Sequence, residues 1–444
     1  MSTPSRGSAV IHERPAELLQ QLIRFDTTNP PGNEKACVGY IEEVLRDAGF
    51  ETILLAKDPN RPNLITRLRG RGSAPPLLFY GHVDVVTTAS QEWTHPPFEG
   101  NIADGYIWGR GSLDCKGGLA MMMGALLRAK AEGLEPAGDV VFSVMCDEED
   151  GSEYGAKYLV AHHPDHFAGI RYAISEFGGV STHIGGERFY PIQIAEKQKC
   201  WVRAIVRGPS GHGARPMRGG SMARLARVLR RLERNKLPVH VTPVVKQMIE
   251  IISSSLPFYK GMVLRQVLNP RLTDRILGIL GETGENFEPL LHNTVNATVV
   301  RGGDKINVIP GEITVELDGR LLPGYGPDDL LGELRHIIGQ LAELEVVLYD
   351  PGPPEPDMTF FTVLADLLRD FDTEGVPMPL LLPAVTDARF LSQIGIQTFG
   401  FTPMQLPKDF NFFATIHAAD ERIPVGAVEF GAKVLYTLLQ RYEA

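Results

Sequence analysis

Cysteine is scarce in this 444-residue chain. Cys37, Cys115, Cys146 and Cys200 are widely scattered with no CxxC pair, which argues for free thiols in a reducing compartment rather than a disulfide framework. Positive charge is not in excess. The formal net charge of −10 argues against nucleic acid or an anionic membrane as the main partner. Long apolar runs are missing as well, and none approaches the roughly 18 residues that a membrane span needs. The first residues, "MSTPSRGSAVIHERPAELL", have no apolar core of signal-peptide length. The expectation is a cytoplasmic protein with a mobile tail over residues 1–14. Internal repeats and low-complexity tracts are absent. What is present is an apolar content of 43% and a charged content of 22%, the balance of a soluble globular protein. The length suits one large or two medium domains.

The pattern along the chain separates two styles. Residues Leu18, Leu19, Leu22, Ile41, Val44 and Leu45 recur at helical spacing, interrupted by the polar loop "DTTNPPGNE". Then β-type runs alternate with helical ones: "NLITRLRG", "LLFYGHVDVV", "DVVFSVMC" and "YAISE" between "GGLAMMMGALLRAKAEG" and "SEYGAKYLVAHH". Such alternation predicts an α/β fold, a mostly parallel sheet with helices on both faces. After about residue 196, "CWVRAIVRG" and "GEITVELDGRLL" alternate like antiparallel strands covered on one face. "SMARLARVLRRLERNK" is a basic amphipathic helix whose arginines read as a solvated face. From about residue 356 the α/β style returns. An α/β domain over 15–196 and 353–444 is therefore expected, interrupted by an α+β domain over 197–352.

Polar residues gather just past the carboxyl ends of the predicted strands, where α/β proteins place ligand sites. In "LLFYGHVDVV", His82 and Asp84 share a face if the strand runs on through Val86. A core histidine satisfied by an acid and a metal-ligand histidine held by a carboxylate are both compatible with that decapeptide. "GRGSLDCKGG" delivers Asp114 before a helix, "CDEEDGS" places Glu148 and Glu149 after a strand, and "ISEFGG" places Glu176 after another. One such acid could merely cap a helix. Four clusters in succession form a mixed nitrogen and oxygen donor set, suited to Zn²⁺, Mn²⁺ or Co²⁺ rather than Ca²⁺ or an iron–sulfur cluster. The side chains of adjacent Glu148 and Glu149 diverge, so one can hold metal while the other serves as a base.

The stretches "GHVDVV", "GRGSLDCKGG", "DEEDGSEYGAK", "GPSGHGARP", "NVIPGE", "DGRLLPG", "TDAR" and "HAADERIP" together resemble the signatures of the M20 family of metallopeptidases. That family includes aminoacylases, carboxypeptidases, acetylornithine deacetylases and succinyl-diaminopimelate desuccinylases. The resemblance implies two metal ions, usually zinc, with Asp114 bridging them, His82 and Glu176 on one, and Glu149 and His417 on the other. It implies that Asp84 orients His82, that Glu148 is the general base, and that the Asp114–Cys115 peptide is cis. It further implies an inserted lid that supplies His212, Asn307 and Arg320 and mediates a homodimer, with His212 serving the partner's site. The segment from about Lys236 to His292 matches least.

The expected activity is hydrolysis of an amide next to a free carboxylate, in N-acyl amino acids or short peptides. Arg389 is expected to grip that carboxylate; a structural pairing with Asp387 is its alternative. A non-catalytic binding or scaffold protein that keeps the fold is the reading from another class. "HHPDH" is set aside because Pro164 prevents the regular helix that would align His162 with His166. Cys115 and Cys146 read as small buried residues. "GPSGHG" is no nucleophile elbow and "GRGSLD" no phosphate loop. Acyl preference, metal identity and pathway have no readable code in the chain.

Overall fold

The computed structural model describes residue 11, residues 13–353 and residues 355–443. The tail expected over residues 1–14 lies outside them, apart from residues 11, 13 and 14. Two compact units divide the chain. The first runs to Ile194 and resumes over Pro356–Leu380 and from Thr386 onward; the second takes Ala195–Glu355 with Leu381–Val385. The sequence reading leaves 381–385 in the first unit. They join the second, where the Lys197 amide donates to the Leu382 carbonyl at 3.0 Å.

The first unit holds a nine-stranded sheet. At its centre Val140–Met145, Leu77–His82, Tyr172–Ser175 and Gln397–Gly400 lie side by side and run parallel. Toward the edges the pairing turns antiparallel, through Asn63–Leu68 and Thr52–Leu55 on one side and Glu187–Glu196 and Thr182–Ile184 on the other. Val376–Leu382 is the ninth strand, beside Glu187–Glu196. Leu77–His82 and Val140–Met145 are buried at every position. Both faces are covered, which is why these strands read as continuous apolar runs instead of alternating. Leu78 and Tyr80 share a core with Leu159, Phe390 and Leu391, residues of helices Ala156–His162 and Ala388–Ser392. On the opposite face Gly81 meets helix Lys116–Ala131 so closely that a Cβ would stand 2.9 Å from Cys115 Sγ and 3.1 Å from Leu119. That helix is buried nearly all round, packed by Pro15–Ile23 and Val425–Arg441.

One difference bears on the site. The strand ends at His82 and does not run through Val86. Val85 instead forms a parallel bridge with Thr28, and the Asn29 amide donates to the Val85 carbonyl at 2.9 Å. The polar loop "DTTNPPGNE" thereby takes over the ladder that an extended strand would have used.

The second unit contains an antiparallel sheet in the order Thr294–Arg301, Glu312–Leu321, Gln198–Arg207, Glu343–Asp350. Its central strands alternate buried positions with mostly half-buried ones. Cys200, Val202, Ala204 and Leu317 pack with Leu330 and Leu334 of helix Pro327–Ile338. In helix Ser221–Arg234 the side chains of Arg227, Arg230 and Arg234 are exposed, while Arg224 and Arg231 donate to the Arg207 and Ile338 carbonyls. The poorly matching segment forms the helices Pro243–Ser255, Phe258–Arg265, Thr273–Leu280 and Glu282–Leu291, the first capped by Thr242. No helix of the described residues is long and apolar enough to cross a membrane.

Candidate active site

Adjacent parallel strands end at one edge, so the residues that follow them are neighbours. His82 is opposite Met145 in register, and Glu176 follows the strand on the other side of His82. The turn after Met145 carries Asp147, Glu148 and Glu149, with Asp147 in the left-handed region at φ 68°. Asp114 comes from the glycine-rich loop that enters helix Lys116–Ala131, and the Asp114–Cys115 peptide is cis. Gly111, at φ 87°, lets that loop turn where a Cβ would stand 2.9 Å from Val85. His417, also left-handed at φ 61°, arrives from the loop before Arg422–Pro424.

These side chains converge in pairs. His82 Nε2 lies 3.1 Å from Asp114 Oδ1 and 3.1 Å from Glu176 Oε2. His417 Nε2 lies 3.1 Å from Asp114 Oδ2 and 3.1 Å from Glu149 Oε1. Each oxygen of one carboxylate therefore faces a different histidine, giving two donor triads that share Asp114. Donors about 2.0–2.1 Å from a tetrahedral ion stand about 3.3 Å from each other, close to these four 3.1 Å separations. His82, Asp114 and Glu149 also lie within 4.8 Å of one another as a group that could hold a metal ion. The His82 Nδ1–H donates to the Asp84 carbonyl at 2.9 Å, which leaves Nε2 as the atom turned to the acids. The Asp84 carboxylate stands 3.4 Å from the same ring nitrogen and also accepts the amides of Glu148 and Glu149 at 3.2 and 3.1 Å, so Asp84 holds both the histidine and the Glu148 turn.

The charge pattern is that of a cation site. Burial, with Asp114 and Glu149 adding, raises Glu176 to about 7 against the pull of His82. Burial also raises Glu148 well above its usual range, with Glu176, Asp387 and Glu149 adding. Among the described residues Glu148 has no ion pair, whereas Glu149 is joined to His417. Hydrogen bonds to Asp114 and Glu149 raise His417 to about 10. Cys115 has its Sγ on the backbone of His82, burial pushes its thiol up to about 12, and the sulfur lies with His82 and Glu176 in a group that could hold a metal ion.

Sequence reasoning missed the groups behind this layer. Arg110 and Glu421 form a buried ion pair at 2.6 Å. Glu421 accepts the Leu113 and Asp114 amides, and Arg110 donates to the His417 carbonyl at 3.1 Å. Gln91 donates to the same carbonyl at 2.8 Å. Arg110 and Glu421 lie within quoted motifs, but nothing in the sequence pairs them. Asn29, Arg61 and Glu34 form a second buried set behind Glu148.

The remaining candidates are placed as follows. Arg389 is buried and forms no ion pair among the described residues; it donates to the Thr386 carbonyl, and its Nε has no partner. Asp387 accepts from Ser152 instead. In the second unit His212 pairs with Val308 in a two-residue ladder, and the Gly213 amide donates to the Asn307 carbonyl at 2.8 Å, so His212 and Asn307 are neighbours. The Ala214 amide donates to His212 Nδ1 at 3.1 Å, which puts the ring proton on the exposed Nε2. Arg320 lies apart on Glu312–Leu321, forked onto Asp318 at 3.0 and 3.1 Å.

Comparison with known proteins gives the same picture. A family model described as peptidase family M20/M25/M40 matches residues 78–441. The probable carboxypeptidase S-like 2 of Dictyostelium discoideum is 26% identical over 390 residues, covering 84% of this chain and 72% of that protein. Human aminoacylase-1 is 24% identical over 433 residues, covering 95% and 93%. Among solved structures, the M20 family metallo-carboxypeptidase Sso-CP2 of Sulfolobus solfataricus superposes with a TM-score of 0.70 at 16% identity, covering 97% of this chain and 99% of that one.

Proposed function

Since the chain belongs to the M20/M25/M40 peptidase family and is thereby an enzyme, we propose that it is a two-metal hydrolase of amides beside a free carboxylate. Its substrates on this reading are N-acyl amino acids or short peptides, the classes that its aminoacylase and carboxypeptidase relatives are named for. The observation that carries the proposal is Asp114, whose two oxygens each face a different histidine at 3.1 Å. His82 and Glu176 would hold one divalent ion, Glu149 and His417 the other, with Asp114 between them; zinc fits, and cobalt or manganese would also. When bound, such ions polarise a carbonyl and lower the pKa of water.

The chain's own groups supply the rest. Glu148 takes the proton from the attacking water and passes it to the leaving amine. Its burial supports this, since a carboxylate raised above its usual range is a stronger base near neutral pH. Arg389 anchors the substrate carboxylate, and a buried guanidinium with no ion pair among the described residues and an unpartnered Nε supports that role. Asn307 and Arg320 complete the grip, and His212, with its proton on Nε2, donates to the developing oxyanion. The protein works as a homodimer through the second unit, His212 serving the partner's site. A cytoplasmic location, without nucleic acid or membrane as partner, belongs to the same reading and is supported by four free buried thiols.

A screen of N-acyl amino acids and dipeptides with metal-free and reloaded enzyme tests the proposal. Hydrolysis should vanish with a chelator and return with Zn²⁺, Co²⁺ or Mn²⁺. Turnover by a sample shown to be metal-free by elemental analysis would end it.

A further inference from the structure

Behind Glu148 lies a buried polar group that the proposed chemistry does not use. Asn29 is 4% exposed, and its Nδ2 lies 2.9 Å from Asp84 Oδ2 and 3.0 Å from Asp147 Oδ1. A side-chain amide nitrogen carries two hydrogens, so Asn29 donates one to each carboxylate. Its Oδ1 has no partner among the described residues. The residue is used here for its donors alone.

Those two carboxylates bracket the turn that bears the glutamates. Asp84 accepts the Glu148 and Glu149 amides at 3.2 and 3.1 Å, and Asp147 accepts the Tyr154 amide at 3.0 Å. Asp147 itself sits at φ 68°, a conformation that is strained for a non-glycine residue and must be held by its surroundings. Arg61, 2.9 Å from Asp147 and 2.7 Å from Glu34, balances part of the buried negative charge. Asn29 is fixed in turn, because its amide donates to the Val85 carbonyl and the Thr27 hydroxyl to the Val83 carbonyl.

We propose that Asn29 is a positioning residue for Glu148: by joining Asp84 to Asp147 it sets the turn from which that side chain reaches the reacting water, touching neither metal nor substrate. The inference rests on reading Glu148 as the proton acceptor. Asparagine suits the place because two acceptors face one another there. An aspartate would add a third buried carboxylate, and a serine could satisfy one acceptor only.

Asn29→Asp and Asn29→Ser test it in the zinc-loaded enzyme. Both should keep two ions per chain and a KM within about threefold. A base displaced by about an ångström costs about a hundredfold in rate, so kcat should fall by that order in Asn29→Asp and by less in Asn29→Ser. Amide exchange over residues 147–154 of the metal-free protein should accelerate in both variants, with the central strands still protected. Unchanged kcat and exchange, or a kcat loss that merely follows metal loss, overturns the inference. If Asn29→Asp does not fold, Asn29→Ser decides alone. A parent enzyme that turns over no substrate overturns the reading of Glu148, while exchange still decides whether Asn29 holds the turn.

Discussion

Arg110 and Glu421, 311 positions apart, meet as a buried ion pair at 2.6 Å. Through it the loop that delivers Asp114 is tied to the loop that delivers His417. Removing one member of such a pair leaves the other as an uncompensated buried charge, at a cost of about 3–5 kcal/mol. Glu421→Leu should therefore lower stability by that order in denaturant titration. The double variant Arg110→Met/Glu421→Leu should recover part of the loss, although the Leu113 and Asp114 amides stay without their acceptor. A double variant no more stable than the single one contradicts this account.

Ligand and base separate cleanly by substitution. Glu148→Gln removes the proton acceptor and no proposed ligand, so metal content should stay at two while kcat falls by about 10²–10⁴. His417→Ala should lose about one ion per chain by elemental analysis as well as rate. Equal metal loss in the two variants would mean that the roles of Glu148 and His417 are misassigned.

Stability of the metal-free protein should fall as pH rises. Glu176, raised from 4.5 to about 7, makes the folded state bind more protons than the unfolded one across that interval, which lowers stability toward the upper end. His417, raised from 6.5 to about 10, contributes stability that is complete below 6.5 and lost as pH climbs through 10. Both act in the same direction up to about pH 7. Above it Lys197, which burial lowers from 10.5 to about 7, adds stability as pH rises and offsets His417. Melting temperatures without metal should therefore decline from about pH 5 to about pH 7. Added Zn²⁺ should raise the melting temperature more at pH 8 than at pH 5.5. A flat or rising profile for the metal-free protein over that interval refutes this.

Arg389→Lys should raise KM for free-acid substrates roughly tenfold to a hundredfold, the worth of a charged hydrogen bond at about 1.5–3 kcal/mol. Metal content should not change. Amidated analogues should be poor substrates of the parent enzyme and nearly indifferent to the substitution. Equal cleavage of amidated and free-acid substrates by the parent enzyme would remove the anchor from the mechanism.

Mixed dimers test the role of His212. A Glu148→Ala chain combined with a His212→Ala chain should regain part of the activity that each lacks alone. Verified heterodimers without recovery would place His212 in its own subunit's site or outside the chemistry.

The sequence by itself determined the α/β character, because apolar runs such as "LLFY" and "VVFSVM" belong to strands covered on both faces, and their ends announce where acids gather. It also supplied His82, Asp114, Glu149 and Glu176 as candidates through short motifs at strand ends, and His417 through the resemblance of "HAADERIP" to a family signature. What the tertiary structure decided is how those groups meet. The strand stops at His82, so the Asp84 carbonyl takes the His82 ring proton while the Asp84 carboxylate, 3.4 Å from the same nitrogen, also grips the Glu148 turn. Arg389 makes no salt bridge with Asp387 among the described residues, although its charge still acts on that carboxylate, whose Oδ1 accepts from Ser152. Asn29, Arg110 and Glu421 lie within quoted stretches, but nothing in the sequence pairs them: a buried polar residue is recognised by its partner, and partners 55 and 311 positions away are brought together only when the chain closes its core.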